Sequence, residues 1–332
     1  MTAGQQSYAG STVLVTGGAG CIGANLTRAL VAQGAARVLV LDDLSSASRW
    51  NLPEQPAVRF VQGSVLDDEA LRAVFGEKPD YVYHLAALFA NQNSVDHPEQ
   101  DLMVNGLGTL KTLQFAHLAG VRRFVYASSG CSVYGSAAPL PLVEDFVSID
   151  LDTPYQITKL LGELYCNFFF HYYKVPVVRA RFFNVYGPGE IPGRYRNVIP
   201  NFLYWAMRKE PLPITGTGEE TRDFTYVNDV VQGLLAAGTA EAAVGEAMNL
   251  ASGKEVTVAH LAALVNELTG NPAGVRYTER RSWDHITRRR ASVDKAGRLL
   301  GYRPTTDFDS GVGRTWEWFR THWDHIVRDA RF

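Results

Sequence analysis

The chain has 332 residues, of which 46% are hydrophobic and 20% are charged, as in a globular protein of one large or two modest domains. Its formal net charge of −2 and the lack of a domain-sized basic stripe argue against nucleic acid or membrane as a partner, and no apolar run reaches the length of a membrane span. The first ten residues lack a signal-peptide pattern and the three cysteines lack paired spacing, so we expect a cytoplasmic protein with free thiols and no metal site.

A glycine-rich turn follows the first predicted strand. The apolar residues Val13–Thr16 run into Gly17, Gly20 and Gly23, and a helical pattern then extends over Ala24–Gln33. Glycines allow a sharp turn and bring backbone N–H groups against a pyrophosphate at the positive end of a helix. A glycine triplet alone also ends strands for purely structural reasons, but here a strand and a helix flank it. We therefore predict a dinucleotide site at this turn.

The second predicted strand supports this interpretation. Val38–Asp42 is apolar and ends in a carboxylate about 20 residues beyond the glycines, where a dinucleotide fold places its ribose ligand. A carboxylate there accepts hydrogen bonds from both ribose hydroxyls and repels a 2′-phosphate. Asp42 therefore favours NAD over NADP.

Further strands and helices alternate along the chain. Apolar runs predict strands at Val58–Gln62, Tyr81–Leu85, Phe124–Ala127 and Val177–Arg181, and helical periodicity covers Asp68–Phe75, Leu102–Ala119 and Tyr155–Tyr173. Alternating strands and helices imply a parallel sheet that is covered on both faces. We therefore predict an α/β protein with a doubly wound, Rossmann-type parallel sheet.

The pattern becomes less regular after residue 183, where glycine and proline become frequent. We predict a dinucleotide-binding domain over residues 1–183 and a smaller, mainly substrate-binding domain over 184–332. A strand and helix pattern within residues 225–249 resembles the first domain, and we expect this stretch to return to it.

A tyrosine and a lysine stand one helical turn apart in the second half of the first domain. Tyr155 and Lys159 belong to the pattern Tyr-x-x-x-Lys, which places both side chains on one face of a helix. An ammonium group beside a phenol lowers the pKa of the phenol, so that it can accept a proton from a substrate hydroxyl. Such a pair also arises by chance on a helix surface, but here it follows a predicted dinucleotide site.

Several motifs, taken in order, resemble one enzyme family. These are TGGAGCIG, HLAA, SSGCSVYG, YQITK, RFFNVYGPG and TRDFTYVNDV, between Val13 and Val230. Together they resemble the extended short-chain dehydrogenases/reductases that act on nucleotide sugars, which include UDP-sugar 4-epimerases, dehydratases and UDP-glucuronate decarboxylases. The resemblance continues to about Phe319. It implies an NAD-dependent enzyme acting on a nucleotide sugar.

The resemblance also implies which residues bind NAD. Gly20, Cys21 and Ile22 would lie on the pyrophosphate, Asp42 on the ribose, and Ser64 and Val65 near adenine. Ser64 replaces the usual aspartate of the family, so adenine recognition is expected to differ slightly. The nicotinamide half would be bordered by Leu85, Ala86, Ala87, Asn105, Tyr155, Lys159 and Phe183.

The substrate residues follow from the same resemblance. Asn184 and Arg222 would contact the diphosphate, Asn197 and Val198 would lie beneath the nucleotide base, and Arg281 with Asp284 would bind diphosphate and ribose. A planar guanidinium suits phosphate oxygens, which agrees with the arginine assignments. For the basic loop Arg288–Arg290 we expect exposure to solvent.

The catalytic turn departs from the family pattern. The family usually has a serine or threonine four residues before Tyr134, where this chain has Gly130. Ser129, Ser132 or a water is left to bind the reacting hydroxyl, and Ser132 is preferred because it would share the side of an extended strand with position 130.

The next two positions, Cys131 and Ser132, lack the carboxylates that dehydratases and decarboxylases use. Exclusion of these two reactions favours a 4-epimerase that acts on a UDP-hexose or UDP-hexuronate through a 4-keto sugar. The alternatives are a dehydratase or decarboxylase with atypical residues, or a catalytically weak protein that binds NAD or a sugar nucleotide.

Three further expectations concern the sugar and the assembly. Asn91 and Asn93 lie in a polar loop suited to sugar hydroxyls, and Arg194 and Arg196 are either ligands of a uronate carboxylate or exposed loop arginines. The two long helices carry apolar residues around much of their circumference, and the family pairs such helices into a four-helix bundle. We therefore expect a homodimer.

Overall fold

A computed structural model describes residues 8–332 of the chain. Most of the first ten residues, from which we predict the lack of a signal peptide, lie outside this range. Within it, no helix combines the length and the apolar character needed to cross a bilayer.

A seven-stranded parallel sheet forms the centre of the fold. Its strands lie in the order β11-β6-β5-β4-β1-β2-β3. They are β1 (Thr12–Thr16), β2 (Arg37–Asp42), β3 (Val58–Gln62), β4 (Tyr81–His84), β5 (Arg123–Ser129), β6 (Val177–Phe182) and β11 (Ala247–Leu250). The predicted Rossmann-type fold class is confirmed. The strand order reverses between β1 and β4, and in such sheets ligands bind in the crevice at the carboxyl ends of the strands next to this reversal.

Helices cover both faces of the sheet. They are α1 (Cys21–Ala32), α2 (Asp68–Phe75), α3 (Asn91–Asp96), α4 (Pro98–Asp101), α5 (Gly108–Ala119), α6 (Pro154–His171), α7 (Val198–Met207), α8 (Val227–Thr239), α9 (Val258–Thr269), α10 (Asp294–Leu300), α11 (Phe308–Thr321) and α12 (Trp323–Asp329). A π-helical stretch, Leu102–Leu107, joins α4 to α5, and Arg49–Asn51 and Glu241–Ala243 are short 3-10 helices. The predicted polar loop at Asn91 and Asn93 is therefore wrong, because these residues begin α3.

Two apolar layers hold the helices on the sheet. In β1, Val13 and Val15 face the layer that includes α1 and α8, while Leu14 faces the layer that includes α2, α5 and α6. Successive side chains of a strand point to opposite faces, so a central strand with both faces covered is apolar throughout. This is why β1 and β2 are the strongest apolar runs of the amino-terminal half.

The second half of the chain is built of short strands and helices. Three two-stranded sheets pair β7 (Val185–Tyr186) with β10 (Thr225–Tyr226), β9 (Thr221–Arg222) with β12 (Val256–Thr257), and β8 (Leu212–Thr215) with β13 (Val275–Thr278). Between them the chain returns to the main sheet, since α8 packs against α1 and β11 pairs with β6. The domain boundaries at 183 and 225–249 stay a prediction.

Candidate functional site

A cleft of about 510 Å³ opens at the carboxyl ends of the sheet strands, beside the reversal of strand order. It brings together residues that are far apart in sequence. The predicted site residues that line it are Gly17, Gly20, Cys21, Ile22, Gly23, Asp42, Ser64, Val65, Leu85, Ala86, Ala87, Asn91, Asn93, Ser129, Ser132, Tyr155, Lys159, Asn184, Arg194, Arg196, Asn197, Val198, Arg222, Arg281 and Asp284.

The glycine turn forms the wall of the cleft at the amino terminus of α1. Gly17 has a φ of +69°, and a Cβ there would lie 2.6 Å from the backbone nitrogen of Ala86. A Cβ at Gly23 would lie 2.5 Å from the Gly17 carbonyl oxygen, whereas at Gly20 the nearest atom is at 3.5 Å. The first and third glycines thus allow close packing of strand and helix. Gly20 keeps the positive end of α1 open to the cleft, which fits a pyrophosphate.

Asp42 lies at the end of β2 beside this turn. Its carboxylate accepts hydrogen bonds from the backbone N–H groups of Ala19 and Leu44, both at 2.9 Å. The side chain is buried, and burial raises the pKa of Asp42 while the two N–H groups oppose the shift. A fixed carboxylate next to an open helix terminus fits the adenosine ribose and pyrophosphate of NAD.

Tyr155 and Lys159 lie on the first two turns of α6. The helix begins here because Thr153 caps it, accepting a hydrogen bond from the Gln156 N–H, and Pro154 occupies its first position. The Lys159 ammonium donates to the Ala127 carbonyl at the end of β5 at 2.9 Å and lies 5.6 Å from the centre of the Tyr155 ring. Strand β5 and helix α6 therefore fix the pair in the cleft.

The expected lowering of the tyrosine pKa is wrong for this geometry. Burial raises the pKa of Tyr155, and the Asp101 carboxylate and the Cys131 thiol add to the rise. Burial also lowers the pKa of Lys159 to about 8. The ammonium lies over the tyrosine ring and is held by a backbone carbonyl, so it offsets little of the burial that disfavours the phenolate.

The turn after β5 carries the two candidate serines. The strand ends at Ser129, whose carbonyl accepts hydrogen bonds from the N–H groups of Ser132 and Val133. The expectation of an extended strand through Ser132 is therefore wrong. Ser132 is nevertheless the better candidate, because its hydroxyl is buried at the cleft and makes no hydrogen bond within residues 8–332. An unsatisfied buried hydroxyl is available to a ligand.

Gly130 is required by packing. A Cβ at this position would lie 2.0 Å from Cε2 of Phe183, a fully buried ring that packs against Tyr134. Phe183 thus fills the space beside Gly130 and lies behind the cleft wall. Phe183 is not among the residues that line the cleft, so its predicted place at the border of the nicotinamide half stays a prediction.

We expect Gly130→Ser to lower the free energy of unfolding by about 1–3 kcal/mol, because the new side chain overpacks the Phe183 pocket. Chemical denaturation of the variant and the parent measures the change. Gly313→Ser is the matched control, since a Cβ at Gly313 meets no atom within 4 Å. Equal stability of Gly130→Ser and Gly313→Ser would show that the ring moves aside easily.

Asn105 also lies behind the wall. Its side chain accepts a hydrogen bond from the Leu88 N–H at 2.8 Å and donates to the Leu88 carbonyl at 3.1 Å and to Asp101 at 2.7 Å. It is 1% exposed and is not among the residues that line the cleft, so its place at the border of the nicotinamide half stays a prediction. Asn105 instead fixes the loop that follows β4.

The two loop arginines that were candidate ligands of a uronate, Arg194 and Arg196, line the cleft but already contact other groups of the protein. Arg194 is two-thirds exposed at the rim and pairs with Asp96 at 3.4 Å, so a carboxylate already balances its charge. Arg196 donates to the Ser46 carbonyl and lies close to the charges of Glu190 and Asp42. It belongs to the ribose and pyrophosphate side of the cleft. A carboxylate on the sugar is therefore not expected to meet either one.

The opposite wall holds the predicted substrate residues. Arg222 pairs with Asp284 at 3.4 Å, and Arg281 lies exposed over the Trp283 ring at 5.7 Å. The Asn184 amide donates to the Cys131 sulfur and to the Asp223 carbonyl, each at 3.4 Å. This arrangement places an amide and two guanidinium groups around one part of the cleft, which suits a diphosphate.

Sequence reasoning missed two charged groups in the cleft. The Asn197 amide donates to Glu190, whose pKa burial raises to about 7 although the Arg196 charge opposes the shift. Arg289 is only 3% exposed, against the expectation of a solvated loop. In the extended stretch beside Leu142, Arg289 shares the inward side with Ala291. Residues 288–290 are all arginine, so the sequence held no signal that separates Arg289 from its neighbours.

Comparison with known proteins gives consistent results. The UDP-glucose 4-epimerase of Mycolicibacterium smegmatis is 34% identical over 310 residues, which cover 92% of this chain and 98% of the relative. The structure of an epimerase from Methanothermobacter thermautotrophicus matches with a TM-score of 0.97 and 59% identity, over 98% of this chain and 96% of the other. A Bordetella bronchiseptica enzyme in complex with NAD+ and UDP matches with a TM-score of 0.83 and 37% identity, over 97% and 96%.

A family model also matches most of the chain. It describes the NAD dependent epimerase/dehydratase family and covers residues 13–251, from the glycine turn to the end of the returning strand β11. Together with the relatives, it shows that the chain belongs to this family, as the motifs predicted.

Proposed function

We propose that the protein is an NAD-dependent 4-epimerase of a UDP-linked sugar. The observation that carries this proposal is the composition of the catalytic turn. Tyr155 and Ser132 line one cleft, while Cys131 and Ser132 occupy the two positions where elimination or decarboxylation would need a carboxylate. The 4-epimerase among the relatives supports the same reaction.

Each catalytic side chain then has a role. Tyr155 accepts the proton of the C4 hydroxyl, and Ser132 hydrogen-bonds the reacting oxygen. The Lys159 ammonium, 5.6 Å from the centre of the Tyr155 ring, offsets a small part of the cost of burying the phenolate. When bound, NAD supplies the redox chemistry, accepting a hydride from C4 and returning it. Rotation of the 4-keto sugar within the cleft presents its other face, and Tyr155 returns the proton. The buried wall excludes water while the ketone exists.

Turnover of UDP-glucose, UDP-N-acetylglucosamine and UDP-glucuronate, with products identified by NMR, tests the reaction. A 4-epimer from any of the three supports the proposal. Loss of water or of carbon dioxide would instead identify a dehydratase or a decarboxylase. Binding without turnover would identify a catalytically weak binding protein.

Ser132→Ala is expected to lower kcat on the order of 10- to 1000-fold, because the reacting oxygen loses its hydrogen-bond donor. Ser129→Ala is the matched control, and we expect it to stay within about threefold of the parent. Steady-state kinetics with the best substrate of the panel measure both. The reverse order of effects would assign the role to Ser129, and two active variants would assign it to a water.

We also propose a homodimer, formed through α6 and the π-helical stretch before α5. Large apolar side chains are exposed there: Leu102, Ile157 and Leu164 are each more than half exposed, and Phe168 is 48% exposed. Exposed apolar groups clustered on adjacent helices are typical of an interface. Cytoplasmic location, in contrast, stays a prediction from the sequence.

We expect Leu164→Glu to convert the dimer to a monomer, because a charge would be buried in the interface. Light scattering at micromolar concentration measures the mass of the particle. Val327→Glu is the control, since Val327 is a partly exposed apolar residue of α12. A monomeric parent protein would refute the interface.

A further inference from the structure

Arg289 is a buried cation that forms no ion pair with the part of the chain that the structure describes. Its guanidinium donates to the Cys131 carbonyl at 3.3 Å, and its Nε makes no hydrogen bond in the described part of the chain. No aspartate or glutamate between residues 8 and 332 forms an ion pair with it, although Asp284 and Asp152 lie near enough to interact electrostatically. Its neighbour Arg288, which is exposed, instead pairs with Glu255 at 2.6 Å.

A buried guanidinium without an ion-pair partner destabilises the fold unless a ligand binds to it. Moving a charge out of water destabilises the fold, and one neutral carbonyl recovers only part of the loss. Burial correspondingly lowers the pKa of Arg289. Because Arg289 lines the cleft, an anion that enters the cleft can supply the missing charge.

The position of Arg289 indicates which anion this is. It touches the turn that carries Cys131 and Ser132, and the Cys131 thiol lies near both Arg289 and Tyr155. This end of the cleft carries Ser132 and Tyr155, which act on the sugar in the proposed function. It also borders the diphosphate side, since Arg222 lies near Arg289 and the Asn184 amide contacts the Cys131 sulfur. Because Arg222 and Arg281 are already available to the diphosphate, we assign the anion at Arg289 to the sugar.

A carboxylate at C6 fits this position. C6 is two bonds from the reacting C4, so its substituent must lie close to the turn that holds the C4 oxygen. The planar guanidinium matches the two oxygens of a carboxylate. We propose that Arg289 binds the C6 carboxylate of the sugar and that the substrates are UDP-hexuronates. This inference rests on the proposed function for the placement of the sugar.

Calorimetric binding to the NAD-loaded protein separates the possibilities. UDP, UDP-glucose and UDP-glucuronate are titrated into the parent, Arg289→Gln, Arg289→Lys and the control Arg288→Gln. We expect the parent to bind UDP-glucuronate more tightly than UDP-glucose. Arg289→Gln is expected to weaken UDP-glucuronate roughly 10- to 100-fold and to leave UDP and UDP-glucose within about threefold.

Arg289→Lys keeps a cation and should lie between the parent and Arg289→Gln for UDP-glucuronate, which also provides a test if the glutamine variant does not fold. Arg288→Gln should change none of the three affinities. An equal loss for all three ligands would make Arg289 a diphosphate ligand and overturn the inference. A parent that prefers UDP-glucose would overturn it as well.

The outcome is independent of turnover. A protein that binds UDP-glucuronate through Arg289 but forms no 4-epimer would refute the proposed reaction and leave the uronate site standing. A protein that forms a 4-epimer but binds UDP-glucuronate equally well with and without Arg289 would refute the uronate site and leave the proposed reaction standing.

Discussion

Tyr155→Phe is expected to lower kcat on the order of 100- to 10,000-fold while NAD and UDP still bind, because the change removes only the group that transfers the proton. The Tyr155 side chain is 93% buried, since its relative exposure is 7%, and it packs edge-on against Phe89 with the ring centres 5.9 Å apart. A phenylalanine keeps that packing, so the fold should be unaffected.

Steady-state kinetics with the epimerised UDP-sugar give kcat, and calorimetry gives the affinities. Tyr277→Phe is the matched control, because it removes a hydroxyl from an exposed tyrosine. A Tyr155→Phe enzyme that retains more than about a tenth of kcat would mean that another group carries the proton.

Glu163→Gln is expected to lower the free energy of unfolding by about 3–5 kcal/mol, because it leaves the buried Arg181 without its counter-charge. The two side chains are 3% and 2% exposed and form two parallel hydrogen bonds of 2.8 Å. Arg181 also donates to the Tyr134 hydroxyl at 3.0 Å. The pair therefore joins α6, which carries Tyr155, to the end of the catalytic turn.

Chemical denaturation measures this loss, with Glu77→Gln as the control. Glu77 pairs with both Arg37 and Arg59 near the surface, where each arginine is half exposed, so Glu77→Gln should change the free energy of unfolding by no more than about 1 kcal/mol. Burial alone would raise the pKa of Glu163, but the hydrogen bonds and charge of Arg181 hold this pKa below its ordinary value of 4.5. The pair thus stabilises the fold above about pH 4.5, and this contribution is lost as the pH falls through the lowered pKa.

The sequence predicts the framework of this molecule well because local pattern and tertiary position agree there. Val13–Thr16 and Val38–Asp42 are apolar on both faces because both faces are covered, and the turn at Gly17 must be glycine because Ala86 lies against it. Tyr155 and Lys159 are set one helical turn apart by α6 itself. Each of these features is fixed within a few residues of chain.

The features that sequence reasoning missed depend on contacts between distant segments. Gly130 is a glycine because of Phe183, more than fifty residues later, and Arg289 is buried because its extended segment pairs beside Leu142. The pKa of Tyr155 depends on how deeply α6 packs, which the spacing of tyrosine and lysine does not reveal. Arg196 is predicted as a uronate ligand from its position in a loop, but the path of that loop places it near the charges of Glu190 and Asp42.

The return of the chain to the sheet has a consequence for protein engineering. Strand β11 lies beside β6, and α8 packs on α1, so the predicted substrate residues beyond β6 lie on two separate stretches of the chain, one between β6 and α8 and one after β11. A chimera with a relative that has a different sugar preference therefore needs two grafts, one between β6 and α8 and one after β11. A single crossover after β6 would give the sheet an edge strand from one parent and its neighbour from the other.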